Sequence, residues 1–129
     1  MARKATTFEG LAWQDLEEWA GSAVVSRGKG YSQLVHDLAM AEDGCLVAWV
    51  DGTHRYATAV GFDASGNLES TCTCPYAIAC KHAVATILVY LKAVEEGTEV
   101  PRAAGDDERL VRLSEKEEGA LAVPEPGQQ

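Results

Sequence analysis

Apolar residues along this chain follow two different periods. From about residue 33 to 72 they fall in short alternating runs cut by turn residues, and from 81 to 94 they run almost without interruption. The first region predicts strands near residues 33–40, 45–50, 55–62 and 68–72, separated by turns at Glu42-Asp43-Gly44, Asp51-Gly52 and Ser65-Gly66-Asn67. Turns this closely spaced imply an antiparallel meander. The second region, KHAVATILVYLKAV, predicts a helix that is apolar nearly all round. It would lay Val84, Ile87, Leu88 and Leu91 on the sheet while Ala83, Tyr90 and Val94 meet something else, the N-terminal helix first and a partner as the alternative. Upstream, Trp13, Leu16 and Ala20 share one face of a helix over residues 11–20, capped by Thr7 or a neighbour and ended by Gly21.

Length and composition restrict this pattern to one small domain. The chain has 129 residues, and a hydrophobic share of 47% is enough for a modest core but leaves little surplus stability. No run reaches the length of a transmembrane helix, and MARKATTFEG has no secretory core, so a soluble, cytoplasmic protein is expected. Charge is uneven: residues 1–94 carry a formal −3, and residues 95–129 carry −6 and three of the four prolines. The expected organisation is a flexible N-terminus over 1–10, a folded domain over 11–97 and an acidic, mostly disordered tail over 98–129. Within that tail, Leu110, Leu113 and Leu121 have loosely helical spacing and allow a transient or partner-induced helix.

Chemistry concentrates in residues 72–82, CTCPYAIACKH. Cys72, Cys74, Cys80 and His82 supply three thiolates and an imidazole, the donor set of a closed tetrahedral zinc site. Residues two apart in an extended segment point the same way, so Cys72 and Cys74 can face one ion, and Pro75 then ends the strand. Two residues apart on a helix point away from each other, which places Cys80 in the turn before a helix and His82 in its first turn. Three thiolates around a divalent cation leave about −1, offset by the helix N-terminus and Lys81. A disulfide between Cys72 and Cys74 would close a strained ring, a redox pair more usually has the spacing CxxC, and ordinary buried cysteines are the remaining alternative. Four protein ligands leave no open position for water, so the zinc, one per chain, would be structural.

The run C-x-C-P, a short loop and C-K-H before an apolar helix resembles the SWIM zinc finger. WAGSAVVSRGKGY (19–31) is similar to the helix that in this family leads into an Arg-Gly-x-x-Tyr step, and GCLVAWVDGTHRYATAV (44–60) to its strand pair. The resemblance covers about residues 11–94. It supports a short helix around 22–29, where Val24, Val25, Gly28 and the following Gly30 lower the propensity, and it assigns the ligand roles to Cys72, Cys74, Cys80 and His82. The fold class it implies is α+β, a small antiparallel meander with N-terminal helices and a zinc-anchored C-terminal helix. The resemblance also implies a DNA-binding or protein-interaction module. The chain departs from it in being acidic and in having no helicase or transposase domain attached.

Other residues have plainer readings. Cys45 is a small core residue, His36 and His54 are surface or hydrogen-bonded histidines, and Trp13, Trp19 and Trp49 belong to the core or its edge. The fragment RGKG lacks the ending of a phosphate loop. No serine or cysteine stands beside a free histidine base, so the chain reads as a non-enzyme without a small-molecule substrate. The cations considered for a positive surface are Arg3, Lys4, Arg27, Lys29, Arg55 and Lys81. Arg27, Lys29, Arg55 and Lys81 are the candidate nucleic-acid contacts, with DNA the first partner considered and a protein docking on an apolar surface or the acidic tail the alternative.

Overall fold

The computed structural model of the chain describes residues 8–52, 54–74 and 80–122, with side chains as far as residue 115. The expected cap Thr7, the cations Arg3 and Lys4 and the loop beginning at Pro75 lie outside the described residues. Helices α1 (Trp13–Ala20) and α2 (Ser22–Gly30) precede strands β1 (Val35–Met40), β2 (Leu46–Asp51), β3 (Arg55–Phe62) and β4 (Leu68–Cys72), then helices α3 (Lys81–Glu96) and α4 (Glu108–Ala122). The four strands form one antiparallel sheet in the order β1-β2-β3-β4, so the class is the α+β meander expected from the turns. Two of those turns place glycine at positive φ, Gly44 at 89° and Gly66 at 85°.

The core lies between the sheet and α3. Leu46 and Val60 on the sheet pack with Val25 of α2 and Ala83, Val84 and Ile87 of α3. The helix does not meet its neighbours as the sequence pattern suggested. Val84 belongs to this core cluster and also meets α2: a Cβ added at Gly28 would come within 2.6 Å of Val84 Cγ1 and 3.0 Å of the Lys81 carbonyl oxygen. Gly28, which looked like a weakness in α2, is therefore what lets the two helices approach. Tyr90 meets Phe8, with ring centroids 5.6 Å apart, while its hydroxyl donates to Glu9 at 2.8 Å. Burial and the Glu9 carboxylate push the Tyr90 hydroxyl up to about 12. Phe8 is itself buried in a 3₁₀ turn (Phe8–Gly10), so the segment expected to be flexible is structured from residue 8.

The opposite face of the sheet carries the larger correction. Residues expected in a disordered tail cover it: Ala103 and Leu110 pack on Ala39, Val47 and Ala59, and Leu113 is buried. Pro101 and Ala103 exchange backbone hydrogen bonds with Met40 at 2.9 Å each, which shields the free edge of β1. The anchor is Arg109, only 6% exposed, whose Nε and Nη2 donate to Asp107 at 2.8 and 2.7 Å and whose Nη1 donates to the Asp37 carbonyl. Asp37 has φ 56° and sits where the β1–β2 register shifts between His36 and Ala39, so the bulge turns its carbonyl toward α4. Acidic composition and few large apolar residues concealed this segment because its docking relies on one buried guanidinium and small side chains.

Candidate metal centre

Strand β4 ends at Cys72, but extended pairing continues one residue further. Thr73 and Ala57 are joined by the Thr73 amide to the Ala57 carbonyl and the Ala57 amide to Thr73 Oγ1, both 3.0 Å. That pair anchors the chain where it bends at Thr73 and Cys74, and the Cys72 and Cys74 sulfurs reach one cluster. Cys80 is the extended N-cap of α3, with φ −87° and ψ 169°, and His82 is the second residue of the helix. The turn-then-helix placement of these two residues thus follows the sequence expectation.

The four side chains meet. Their candidate ligand atoms, the three sulfurs and an imidazole nitrogen, all lie within 4.8 Å of one another, and all four residues are buried. His82 Nδ1 is 3.7 Å from Cys72 Sγ and 3.8 Å from Cys80 Sγ. A tetrahedral zinc bound at ordinary Zn–S and Zn–N lengths has sulfur–nitrogen edges of about 3.6 Å, so the cluster is already near the size it needs to hold one. Donor chemistry and spacing together make this a cluster suited to one zinc ion, with no position left for a reacting water.

Hydrogen bonds around the sulfurs favour their anionic form. The Cys74 amide donates to Cys72, and the Ala83 amide, at the start of α3, donates to Cys80. Cys72 and Cys80 share a hydrogen bond that holds the Cys80 thiol low, helped by His82, while that bond and burial push the Cys72 thiol up. The protein alone therefore favours one thiolate and one retained proton in this pair. A divalent cation is the natural replacement for that proton.

Around His82, Tyr56 packs at 4.8 Å and Tyr31 edge-on at 5.3 Å. Nε2 has no hydrogen-bond partner among the described residues, and Nδ1 is the ring nitrogen turned to the sulfurs. Gly52 leaves room for this packing, since a Cβ there would come within 3.0 Å of Tyr56 and 3.4 Å of His82 Nε2. Tyr31, Tyr56, Gly52 and Thr58, whose Oγ1 lies 3.1 Å from Cys72 Sγ, were not found from the sequence. Thr58 was the most accessible of them, because a hairpin centred on Ser65 pairs it directly with Cys72.

The candidate contact residues are only partly brought together. Lys81 places its ammonium 4.6 Å from the Tyr31 ring centre, and Arg27 and Lys29 flank Gly28 at the junction of α2 with α3, both exposed. Arg55 departs from the expectation. It lies on the other face of the sheet, 5.5 Å from the Trp49 ring centre and 3.5 Å from Asp51, because its register is that of Trp49 and Asp51 and not of Tyr56. Cys45 is half-buried away from the cluster, and burial and Asp43 push its thiol up to about 11. His36 pairs with Asp51 at 2.9 Å, and His54 stands 6.2 Å from the Tyr56 ring. Trp13, expected at the core, is 45% exposed.

Comparison with known families agrees with this geometry. Residues 50–91, from the end of β2 into α3, match the family model of the SWIM zinc finger. The matched span contains all four clustered residues, while α1, α2, β1 and α4 lie outside it. No curated protein and no solved structure matches the chain significantly.

Proposed function

We propose that this SWIM zinc finger is a non-catalytic module that binds nucleic acid, DNA in the first instance, through the surface formed by α2 and the start of α3. The observation that carries the reading is a segregation of charge. Residues 19–36 and 80–94 contain Arg27, Lys29, Lys81 and Lys92 and no aspartate or glutamate, in a chain whose formal net charge is −9. These two segments pack on one another through Gly28 and Val84, beside Arg27, Lys29 and Lys81, and the Glu9 carboxylate reaches α3 only further along, at Tyr90. Phosphate binding needs such a local excess of cations more than it needs a basic chain. Lys81, stacked on Tyr31 beside the α3 N-terminus, is the central contact, with Arg27 and Lys29 on its flank.

Full-length protein titrated with labelled single- and double-stranded DNA should bind weakly at low salt and lose affinity steeply as salt rises. Combined Arg27→Ala, Lys29→Ala and Lys81→Ala should weaken that binding at least several-fold. Equal binding by the triple variant and the wild type, or no binding at low salt, would overturn the proposal.

A second reading, a protein-interaction adaptor, draws on a separate feature. Helix α1 borders a groove of about 390 Å³ lined by Leu11, Trp19, Phe62 and Leu68 and edged by Asp15 and Glu18, and Trp13 of the same helix is exposed. Apolar lining with an acidic rim suits a basic protein segment, and this reading becomes the one to pursue if DNA binding fails.

A further inference from the structure

Thr58 lies in the middle of β3 and is completely buried. Its cross-strand partner is Cys72, and its hydroxyl oxygen is 3.1 Å from the Cys72 sulfur. A buried hydroxyl needs a hydrogen-bond partner, and a sulfur bound to a metal as thiolate carries no proton. In the metal-bound state the direction of this contact is therefore settled by chemistry: the hydroxyl donates and the sulfur accepts.

Building on the zinc reading above, we propose that Thr58 is a positioning residue for the metal centre, whose hydroxyl stabilises the Cys72 thiolate and strengthens zinc retention. Three thiolates and a neutral imidazole around one divalent cation carry a net charge of about −1 in a site closed to water. Each donor aimed at a sulfur lowers the free energy of that buried excess charge and withdraws electron density from the sulfur. Backbone amides do this from Cys74 and Ala83, as they can in any sequence with this local backbone. Thr58 adds a side-chain donor, and the β3–β4 register delivers it to Cys72.

Substitution can separate the hydroxyl from the shape. Thr58→Val keeps the branched side chain and removes the donor, whereas Thr58→Ser keeps the donor. Chelator competition on the full chain should show zinc affinity reduced about 10- to 100-fold in Thr58→Val and close to wild type in Thr58→Ser. With cobalt in place of zinc, the sulfur-to-metal charge-transfer band should move to longer wavelength in Thr58→Val, because the sulfur has become more electron-rich. A merely structural role for Thr58 would not move that band.

Should the valine variant fail to fold, Thr58→Ala and Thr58→Ser form the equivalent pair, both lacking the methyl group and differing in the hydroxyl. Equal metal affinity and band position within either pair would overturn the role of Thr58 while leaving the zinc site intact. A wild-type chain that takes up neither zinc nor cobalt would overturn the site and this role together.

Discussion

The two faces of the sheet are held by different physics. On one, Leu46 and Val60 meet an apolar helix whose first turn is tied to the strand end through Cys72, Cys74, Cys80 and His82. On the other, small residues, Ala39, Val47 and Ala59, receive Ala103 and Leu110, and specificity comes from Arg109 gripping Asp107 and the Asp37 carbonyl. Metal binding adds to a hydrophobic layer on the first face and ties helix to strand directly. A hydrogen-bonded guanidinium on the second positions α4 but adds less, because desolvating the charge offsets much of what the contacts contribute. The first face should therefore govern whether the chain folds, and the second how well the folded sheet is covered.

The largest effect should follow from removing a metal ligand. Cys80→Ser takes away both a ligand and the sulfur that receives the Ala83 amide at the start of α3. Binding energy at a structural zinc site is folding energy, on the order of 10 kcal/mol for small zinc domains, more than a domain of this size has in reserve. Elemental analysis of the purified variant should show zinc lost, and circular dichroism should show the cooperative unfolding transition lost with it. Full zinc retention by Cys80→Ser would remove that residue from the site, and a folded wild-type chain free of metal at equilibrium would reverse the ranking of the two faces.

Truncation after Gly97 should have an intermediate effect. It uncovers Ala39 and Val47 and the edge of β1, and it removes buried Leu113 and Ala103. Burying one leucine contributes about 1.5–3 kcal/mol, so a loss of roughly 2–4 kcal/mol is expected in urea unfolding. Zinc content should stay at one per chain, since among the described residues no member of the cluster lies beyond His82. An unchanged melting temperature would show that α4 adds no stability, and loss of zinc would show that the two faces are not separable.

The same contrast explains what could be read from the sequence. Strand positions, their turns and the ligand set of the metal cluster all rest on local patterns: alternation, Asp-Gly and Ser-Gly-Asn punctuation, and cysteines two apart. Everything missed depends on a contact between segments distant in sequence. Gly28 reads as a helix breaker until Val84 is packed on it. Arg55 reads as one of a basic cluster until strand register turns it toward Trp49. Arg109 reads as a solvated charge in an acidic tail because neither the bulge at Asp37 nor its exposed carbonyl has a sequence signature. Thr58 is the intermediate case, since locating the hairpin at Ser65 already pairs it with Cys72.

The smallest effect, and the sharpest test of how α4 is held, comes from Asp107. The Arg109 guanidinium beside it, together with the Arg109 amide, holds its carboxyl below the ordinary value of 3.8 despite partial burial. A carboxylate with a depressed folded-state pKa contributes stability that is fully present above the unfolded value, and that contribution disappears as pH falls through the folded value. Asp107→Asn should therefore cost about 1–3 kcal/mol near neutral pH, where it leaves a buried guanidinium short of its charged partner. Below about pH 4 the difference between variant and wild type should narrow, because the unfolded wild-type carboxyl takes up its proton there while the folded one does so only at lower pH. Urea unfolding of both proteins across this range would follow the gap, with zinc uptake at neutral pH recorded as a control on the opposite face. Equal stability of the two proteins from pH 7 to pH 3 would mean that Asp107 acts only as an N-cap hydrogen-bond acceptor for the Arg109 amide, a role that the asparagine oxygen also fills, and that the ion pair does not hold α4 on the sheet.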